Sequence, residues 1–208
     1  MKLHGFPPSP NNRKVLAVAA QLDLPLEVEW VSLVKGEQRS AAFLELNPNG
    51  RTPAFTDGEV TLWESNAILH YLVTRKPNDL WPDNGTDQAD VLRWLYWEQS
   101  EWRKGFGGLY WENMLKRIFG LGEPDPAAVD TATTEFRRCA TVLEKTLSRQ
   151  PWLAHYGLSL ADFAIAAPLD NAARCKLPLA EFPHLADWYH RIAALPAWQS
   201  SLPEQPAA

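Results

Sequence analysis

The chain is poor in cysteine, in long apolar runs and in recognisable targeting sequence. Its only two cysteines, Cys139 and Cys175, lie far apart in segments of helical spacing, so we expect buried reduced thiols rather than a disulfide framework. No apolar run approaches the ~20 residues that span a membrane. Residues 1–6 lead directly into Pro7-Pro8 without the apolar core or cleavage site of a secretion signal. We therefore expect a cytoplasmic protein.

Charge and motif content exclude several classes of function. The chain has 25 acidic and 20 basic residues, a formal net charge of −5 and no basic run, which argues against a surface for nucleic acid or anionic membrane. The five histidines show no metal-ligand spacing with cysteines or carboxylates. A glycine-rich phosphate loop and a nucleophile elbow are both absent. Small molecules and proteins remain as candidate binding partners, and no metal is expected.

Two kinds of periodicity divide the 208 residues. In the first part, short β-like runs alternate with helical ones, whereas nearly every segment after Pro82 has helical spacing. Residues 77–86, between these parts, are dense in proline, asparagine and glycine, which indicates a linker. The sequence therefore predicts an α/β domain at residues 1–76, a linker at 77–86 and an all-α domain at 87–208.

The α/β domain is predicted to have the element order β-α-β-α-β-β-α, with a hairpin signal at Asp57-Gly58. Its predicted strands are residues 2–5, 26–31, 53–56 and 60–63, and its predicted helices are residues 12–22, 37–46 and 65–74. In the all-α domain, Ser159 and Asp162 have the spacing of a capping box, which is a folding element. Its long helices are predicted at residues 87–119, with a bend or break near Gly105, Gly107 and Gly108, at 125–149 and at 183–195.

The run Trp63-Glu64-Ser65-Asn66-Ala67-Ile68 places an acid and a hydroxyl at the start of a helix. The N–H groups of a helix N-terminus can hold a carboxylate, Ser65 adds a hydroxyl donor and Glu64 can meet an ammonium group. A γ-glutamyl group carries both charges at one end and would fit there. With Thr52-Pro53 before it, this segment resembles the glutathione-binding half of the cytosolic glutathione transferases.

The resemblance covers essentially the whole chain. It implies a thioredoxin-like N-terminal domain followed by an all-α C-terminal helical bundle, together the glutathione transferase fold. It also implies glutathione as cosubstrate, a hydrophobic electrophile as second substrate and a two-fold homodimer. A cis Pro53 would present the backbone of Thr52 to the cysteinyl amide of glutathione. Gln38 and Arg39 align with the residues for the glycine carboxylate, and Arg51 with one near the ligand backbone, although both arginines could instead be solvated surface charges.

Ser9 and Asn11 are the candidate catalytic residues. In this family a residue at the end of the first strand stabilises the thiolate of bound glutathione, and the first tyrosine and first cysteine, Tyr71 and Cys139, come too late in the chain. Residues 5–15, Gly-Phe-Pro-Pro-Ser-Pro-Asn-Asn-Arg-Lys-Val, resemble the serine pattern of phi- and theta-like classes. They also resemble a bacterial group related to yeast prion-type reductases, in which a threonine at the position of Ser9 and an asparagine at that of Asn11 face the sulfur. Both residues could alternatively be only cap and turn residues.

Three functions stay open at this point. A detoxifying transferase would attack an electrophilic carbon with the glutathione thiolate. A glutathione-dependent disulfide or peroxide reductase, which Asn11 favours, would attack sulfur or oxygen instead. A non-catalytic ligand-binding or interaction module could use the same fold. For the transferase, Phe106 and Tyr110 are candidates for the electrophile pocket, although packing within a helical core explains these aromatics equally well.

Overall fold

The computed structural model describes residues 1–202, which fall into two compact units. The first unit is Met1–Leu80 together with the residues from Ala194 onward, and the second is Trp81–Ala193. The sequence analysis assigned the residues from Ala194 to the all-α domain, and its last six, 203–208, lie outside the described residues. Within residues 1–202, no helix combines the length and the apolar character needed to cross a membrane.

The first unit is built on a four-stranded mixed sheet. Its strands are β1 (Lys2–Gly5), β2 (Glu27–Trp30), β3 (Ala54–Asp57) and β4 (Val60–Trp63), in the spatial order β2-β1-β3-β4. β1 pairs in parallel with β2, whereas β3 is antiparallel to both β1 and β4. Gly58 closes the β3–β4 hairpin with a φ of +59°, a value that glycine adopts without steric cost. This sheet confirms the predicted thioredoxin-like domain.

Three helices lie between these strands or after them: α1 (Pro10–Gln21), α2 (Ala41–Leu46) and α3 (Ser65–Val73). α1 and α3 pack together through apolar faces that include Val15, Val18 and Ile68, all fully buried. The helix predicted at residues 37–46 is instead a 3₁₀ turn followed by α2. Ser40 separates them because its extended backbone ends the turn while its hydroxyl accepts the Phe43 N–H at 3.3 Å and caps α2.

The second unit is helical, which confirms the predicted class of the C-terminal domain. Its helices are α4 (Gly85–Trp97), α5 (Arg103–Tyr110), α6 (Lys116–Ile118), α7 (Pro126–Leu147), α8 (Leu160–Ala166), α9 (Ala172–Cys175) and α10 (Pro183–Ala193). From α4 to α6 the backbone stays helical through two π-helical segments, Glu98–Trp102 and Trp111–Leu115. The α-helix continues through Gly105 and Gly108, so the predicted break at these glycines is absent. They allow the close approach of α7: a Cβ at Gly105 would lie 2.9 Å from the Cβ of Cys139.

Buried tryptophans connect the helices of the second unit through hydrogen bonds and ring packing. Trp94 donates its indole N–H to the Leu153 carbonyl at 2.9 Å, and Trp102 donates to the Ile165 carbonyl at 3.0 Å. Because both of these indoles have an acceptor, their rings add apolar packing without leaving an unsatisfied donor. Trp102 is fully buried and stacks with Trp97 at a centroid distance of 6.1 Å.

The last described helix, α11 (Pro196–Ser200), packs on α1, which explains why residues 194–202 belong to the first unit. Arg13, which is 4% exposed, donates to the Trp198 carbonyl at 2.6 Å and to the Ser201 hydroxyl at 2.7 Å. Its guanidinium also lies 4.0 Å from the centroid of the Trp198 ring. A buried arginine thus joins residues 198–201 to the helix that follows Ser9.

Arg13→Ala should destabilise the first unit by about 2–4 kcal/mol, because it removes hydrogen bonds from a buried charged group and leaves their acceptors unpaired. Urea unfolding followed by tryptophan fluorescence would measure this change. Arg149→Ala is the control, since Arg149 is exposed and should give a change of about 0.5 kcal/mol or less. Equal effects of the two substitutions would contradict a structural role for Arg13.

Candidate functional site

Three segments leave the sheet of the first unit at one edge. β1 ends at Gly5, and its neighbouring residue His4 is in register with Ala54, the first residue of β3. Ala54 is in turn in register with Trp63, the last residue of β4. The loop after β1, the loop before β3 and the start of α3 therefore lie at the same end of the sheet. These are the three segments in which the sequence analysis placed Ser9, Thr52-Pro53 and Glu64-Ser65.

Ser9 is the N-cap residue of α1, yet its side chain does not cap the helix. Its backbone carbonyl accepts from the N–H groups of Asn12 and Arg13 at 3.1 and 3.0 Å and so begins the helix. Its own N–H donates to the Phe6 carbonyl at 2.9 Å. Within the described residues the hydroxyl makes no hydrogen bond, so it can donate to a ligand. The alternative that Ser9 serves only as a cap therefore lacks its expected hydrogen bond.

The two neighbouring asparagines have different environments. Asn11 is half-buried, and its side-chain amide has no hydrogen-bond partner in the part of the chain that the structure describes. Asn12 is fully buried and donates to the Phe6 carbonyl at 2.7 Å, so it holds the loop that carries Ser9. Gly5 leaves room for this side chain, because a Cβ there would lie 2.9 Å from Asn12 Cγ. The sequence analysis missed Asn12, since only burial distinguishes it from Asn11.

The loop before β3 is shaped by a second residue that the sequence analysis missed, Asn47. Its side chain is buried, donates to the Arg51 carbonyl at 2.6 Å and accepts the Asn49 N–H at 3.0 Å. The Thr52-Pro53 peptide bond that follows is cis, as the resemblance implied. Neither the N–H nor the C=O of Thr52 has a hydrogen-bond partner among residues 1–202. This short stretch of backbone can therefore pair with the amide of an extended peptide.

The start of α3 has the buried polar group that an anion site needs. Ser65 is 2% exposed, and its Oγ has no hydrogen-bond partner in the described structure. A buried hydroxyl in this state costs free energy that a bound acceptor would recover. Glu64 precedes it with an exposed side chain and a φ of +69°, a strained value for a residue other than glycine. Strain of this kind is common at ligand sites.

The three residues predicted for the far end of the ligand lie in or beside the same loops. Gln38 is half-buried, and its side-chain oxygen is buried without a hydrogen-bond partner among the described residues. Its backbone carbonyl lies 3.2 Å from the position of a Cβ on Gly50, so the turn of Gln38 sits against the loop before Thr52. Arg39 and Arg51 are both exposed, and their roles stay predictions.

Phe106 and Tyr110 pack together in the second unit. They are 8% and 6% exposed, and their rings meet edge to face at a centroid distance of 6.2 Å. Trp102 continues the row, 5.9 Å from Phe106. Burial raises the pKa of the Tyr110 phenol, so its hydroxyl stays protonated. Core packing thus accounts for the row, and its predicted role in binding an electrophile stays a prediction.

Both cysteines are buried and free, as the sequence analysis expected. Burial raises the pKa of the Cys175 thiol to about 12, and it also raises the pKa of the Cys139 thiol. Both are therefore protonated at neutral pH and are poor nucleophiles. Among residues 1–202, no group of three or more histidine, cysteine, aspartate or glutamate side chains is placed to hold a metal ion.

Comparison with known families agrees with this arrangement. Residues 1–74 match the family described as Glutathione S-transferase, N-terminal domain, and residues 103–196 match the Glutathione S-transferase, C-terminal domain. The chain belongs to the glutathione S-transferase family. The edge of the sheet described above therefore lies in the segment that matches the N-terminal domain of this family.

The proteins that are similar to this chain carry names that indicate different activities. The chain is 33% identical over 208 residues to Glutathione S-transferase 3 of Zea mays, covering 97% of this chain and 93% of the relative. It is 31% identical over 207 residues to Disulfide-bond oxidoreductase YfcG of Escherichia coli, covering 95% and 92%. The crystal structure of glutathione transferase URE2P8 from Phanerochaete chrysosporium with oxidized glutathione has a TM-score of 0.84 at 30% identity, covering 96% of this chain and 92% of that one.

Proposed function

We propose that this glutathione S-transferase family member binds glutathione along the edge formed by its three loop segments. The γ-glutamyl end lies at the start of α3, where Ser65 meets the carboxylate and Glu64 meets the ammonium group. The cysteinyl amide pairs with the backbone of Thr52. At the other end, the glycine carboxylate lies near Gln38, Arg39 and Arg51. The buried Ser65 hydroxyl and the Thr52 backbone, which has no partner among residues 1–202, support this orientation.

The proposed reaction is a glutathione transfer that begins with the thiolate. The observation that carries it is the Ser9 hydroxyl, which stands at the N-terminus of α1 and makes no capping hydrogen bond. By donating to the sulfur it favours thiolate over thiol, and the positive end of α1 acts in the same direction. Asn11 assists with an amide donor. The thiolate then forms an S–C bond with an electrophilic carbon, whose bonding pair departs with the leaving group or moves onto an adjacent atom.

The second substrate in this proposal is a hydrophobic electrophile that contacts Phe106 and Tyr110. Their apolar rings suit such a molecule. The proposal also includes a homodimer in the cytoplasm, as is common for the family.

A second candidate function is glutathione-dependent disulfide reduction. The Asn11 amide, which has no partner among the described residues, favours it, and so does the 31% identity to a protein named disulfide-bond oxidoreductase. The glutathione thiolate would attack one sulfur of a disulfide and expel the other as a thiolate, which takes up a proton. A second glutathione would then cleave the mixed disulfide and leave oxidised glutathione and two reduced thiols.

Glutathione binding by calorimetry, from about pH 5 to about pH 9, tests the proposed site together with ultraviolet difference absorbance for thiolate. We expect the bound thiol to have a pKa about one to two units below its free value, because each donor contributes about 1–2 kcal/mol. Affinity for glutathione should then rise with pH until the free thiol also ionises. S-methylglutathione is the matched control, since it has no thiol proton and its affinity should lack this rise.

Each outcome of this experiment separates the candidate functions. A pH-dependent rise with visible thiolate supports an activated-thiol enzyme, and turnover of carbon electrophiles against small disulfides then distinguishes transferase from reductase. Binding without thiolate indicates a ligand-binding module. Absence of binding would overturn the site.

A further inference from the structure

A cavity of about 630 Å³ lies inside the second unit, between α4 and the C-terminal end of α7. α7 packs closely on α5, where Gly105 and Gly108 allow it to approach, but it hardly touches α4. The space left between α4 and α7 is this cavity. On the side of α7 it is lined by Val142, Lys145 and Arg149, whose spacing of three and four residues places them on one helical face.

The apolar part of the cavity lining is largely aromatic. Trp94 and Trp97 meet edge to face at a centroid distance of 5.5 Å, and Trp97 is only half-buried. The Arg93 guanidinium lies 5.1 Å from the centroid of the Trp94 ring and adds a second kind of flat surface. Val142 is 41% exposed, so a ligand that covers it would remove apolar surface from water. The cavity volume is in the range of ~300–1,000 Å³ that is typical of small-molecule sites.

The charged residues of the lining leave an excess of positive charge. Lys145 and Arg149 are exposed, and their side chains make no hydrogen bond or ion pair among residues 1–202. Asp90 is the carboxylate of the lining, and it already forms an ion pair with Arg93. Its other oxygen lies 3.0 Å from Nδ1 of His155. Because the negative charge has these partners, the two cations at the end of α7 can attract an anion.

We infer that this cavity is a second ligand site, which binds a small organic anion with a flat aromatic body, such as an aromatic carboxylate. The aromatic body lies against Trp97 and Val142, and the carboxylate meets Lys145 and Arg149. A ring suits this lining better than an alkyl chain, because it can form stacked or edge-to-face contacts with the tryptophan. The residues proposed for glutathione all belong to the first unit, so this inference does not depend on them.

The two cations could instead be solvated surface charges without a ligand. In that case a molecule that enters the cavity would bind through its ring alone, and a carboxylate would add nothing to its affinity. The ligand pair 2-naphthoate and 2-naphthamide distinguishes these alternatives. Both have the same ring system and nearly the same shape, but only the first carries a negative charge.

The test measures the affinity of the full chain for these two ligands by calorimetry. In the double variant Lys145→Gln/Arg149→Gln, we expect affinity for 2-naphthoate to fall about tenfold, because two partly exposed charge pairs are lost together. Affinity for 2-naphthamide should change by less than about twofold. The matched control is Lys76→Gln/Arg103→Gln, which removes the same two charges from exposed positions outside the cavity and should leave both affinities unchanged.

Val142→Trp tests the position of the aromatic body. The larger side chain would occupy the space proposed for the ligand, and the fold should be retained because Val142 is exposed on α7. Both ligands should then bind about tenfold more weakly or worse. If affinity for 2-naphthoate instead falls as the protein concentration rises, a second copy of the chain occupies the cavity, and the assignment to a small molecule is wrong.

A loss of 2-naphthoate alone in the charge variant, with a loss of both ligands in Val142→Trp, supports the inference. Unchanged affinity in the charge variant would place 2-naphthoate elsewhere on the protein and overturn it. Absence of binding to the original chain at up to about 1 mM 2-naphthoate would also overturn it. Each of these results leaves the proposed glutathione site as it is, because glutathione binding is measured separately.

Discussion

Ser9→Ala should lower kcat/KM for glutathione transfer at about pH 6.5 by about tenfold or more, because it removes a hydroxyl donor that favours the thiolate. The loss should shrink as the pH rises toward the pKa of the free thiol, since the thiolate then forms without help. The stability of the protein should change by less than about 0.5 kcal/mol, because the Ser9 hydroxyl makes no capping hydrogen bond.

A pH profile of kcat/KM with an aromatic halide, read by absorbance, would measure this effect. Ser148→Ala provides the control, since Ser148 is an exposed serine at the end of α7 in the other unit. A drop in stability of about 1 kcal/mol with unchanged activity would show that Ser9 is a cap after all.

Asn11→Ala separates the two proposed enzymes. In a serine-type transferase it should reduce kcat/KM about threefold or less, since Ser9 still holds the thiolate. If Asn11→Ala abolishes turnover of a disulfide substrate while Ser9→Ala leaves that turnover intact, the serine mechanism fails and the reductase proposal is supported.

Asp162→Ala should destabilise the second unit by about 3–5 kcal/mol or prevent its folding, because it leaves several buried donors without an acceptor. The fully buried carboxylate accepts from the N–H groups of Leu153 and Ser159 at 2.9 Å each. It also accepts from the Trp188 indole at 2.9 Å and from the Ser159 hydroxyl at 3.1 Å. Urea unfolding measures the loss, with Asp130→Ala at an exposed position of α7 as control.

Asp162→Asn separates the charge of this side chain from its hydrogen bonds. Burial raises the pKa of Asp162 to about 6, although its four hydrogen bonds act in the opposite direction. A pKa above the unfolded value of about 4 means that this group stabilises the fold most below about pH 4 and loses that contribution as the pH rises through about 6. The original chain should therefore gain about 1 kcal/mol relative to Asp162→Asn between about pH 7 and about pH 5. A constant difference would contradict the raised pKa.

The predicted sheet and most helices follow from local patterns whose physical causes act over a few residues. The hairpin at Asp57-Gly58 and the capping box of Ser159 and Asp162 depend on near neighbours, and both are present. The predicted break at the glycines of α5 is absent, and the role of Gly105 depends on a residue distant in sequence. Gly105 accommodates Cys139 of α7, and no local pattern shows which helix will pack against a glycine.

In the candidate site, too, some features depend on neighbouring residues and others on residues distant in sequence. The sequence predicted roles for Ser9, Thr52-Pro53 and Ser65 because a helix start and an X-Pro pair are locally visible and because these segments resemble a known family, and those roles stay predictions. It missed Asn47 and Asn12, which hold the loops of the site, because an asparagine on the surface and one that braces buried backbone look alike in sequence. Burial and hydrogen-bond partners, which come from segments folded together, make the difference.

The sequence by itself determined the two-part organisation, the class of each part and the segments that carry the proposed glutathione site, because periodicity, turn chemistry and helix starts are properties of neighbouring residues. Only the tertiary structure decided that the Ser65 hydroxyl is buried without a partner among residues 1–202, that Lys14 lies inside the first unit against Asn66, and that α11 packs on α1. Burial and hydrogen-bond partners depend on which segments, distant in sequence, pack against each other and exclude water. Burial of that kind is a property of the folded chain.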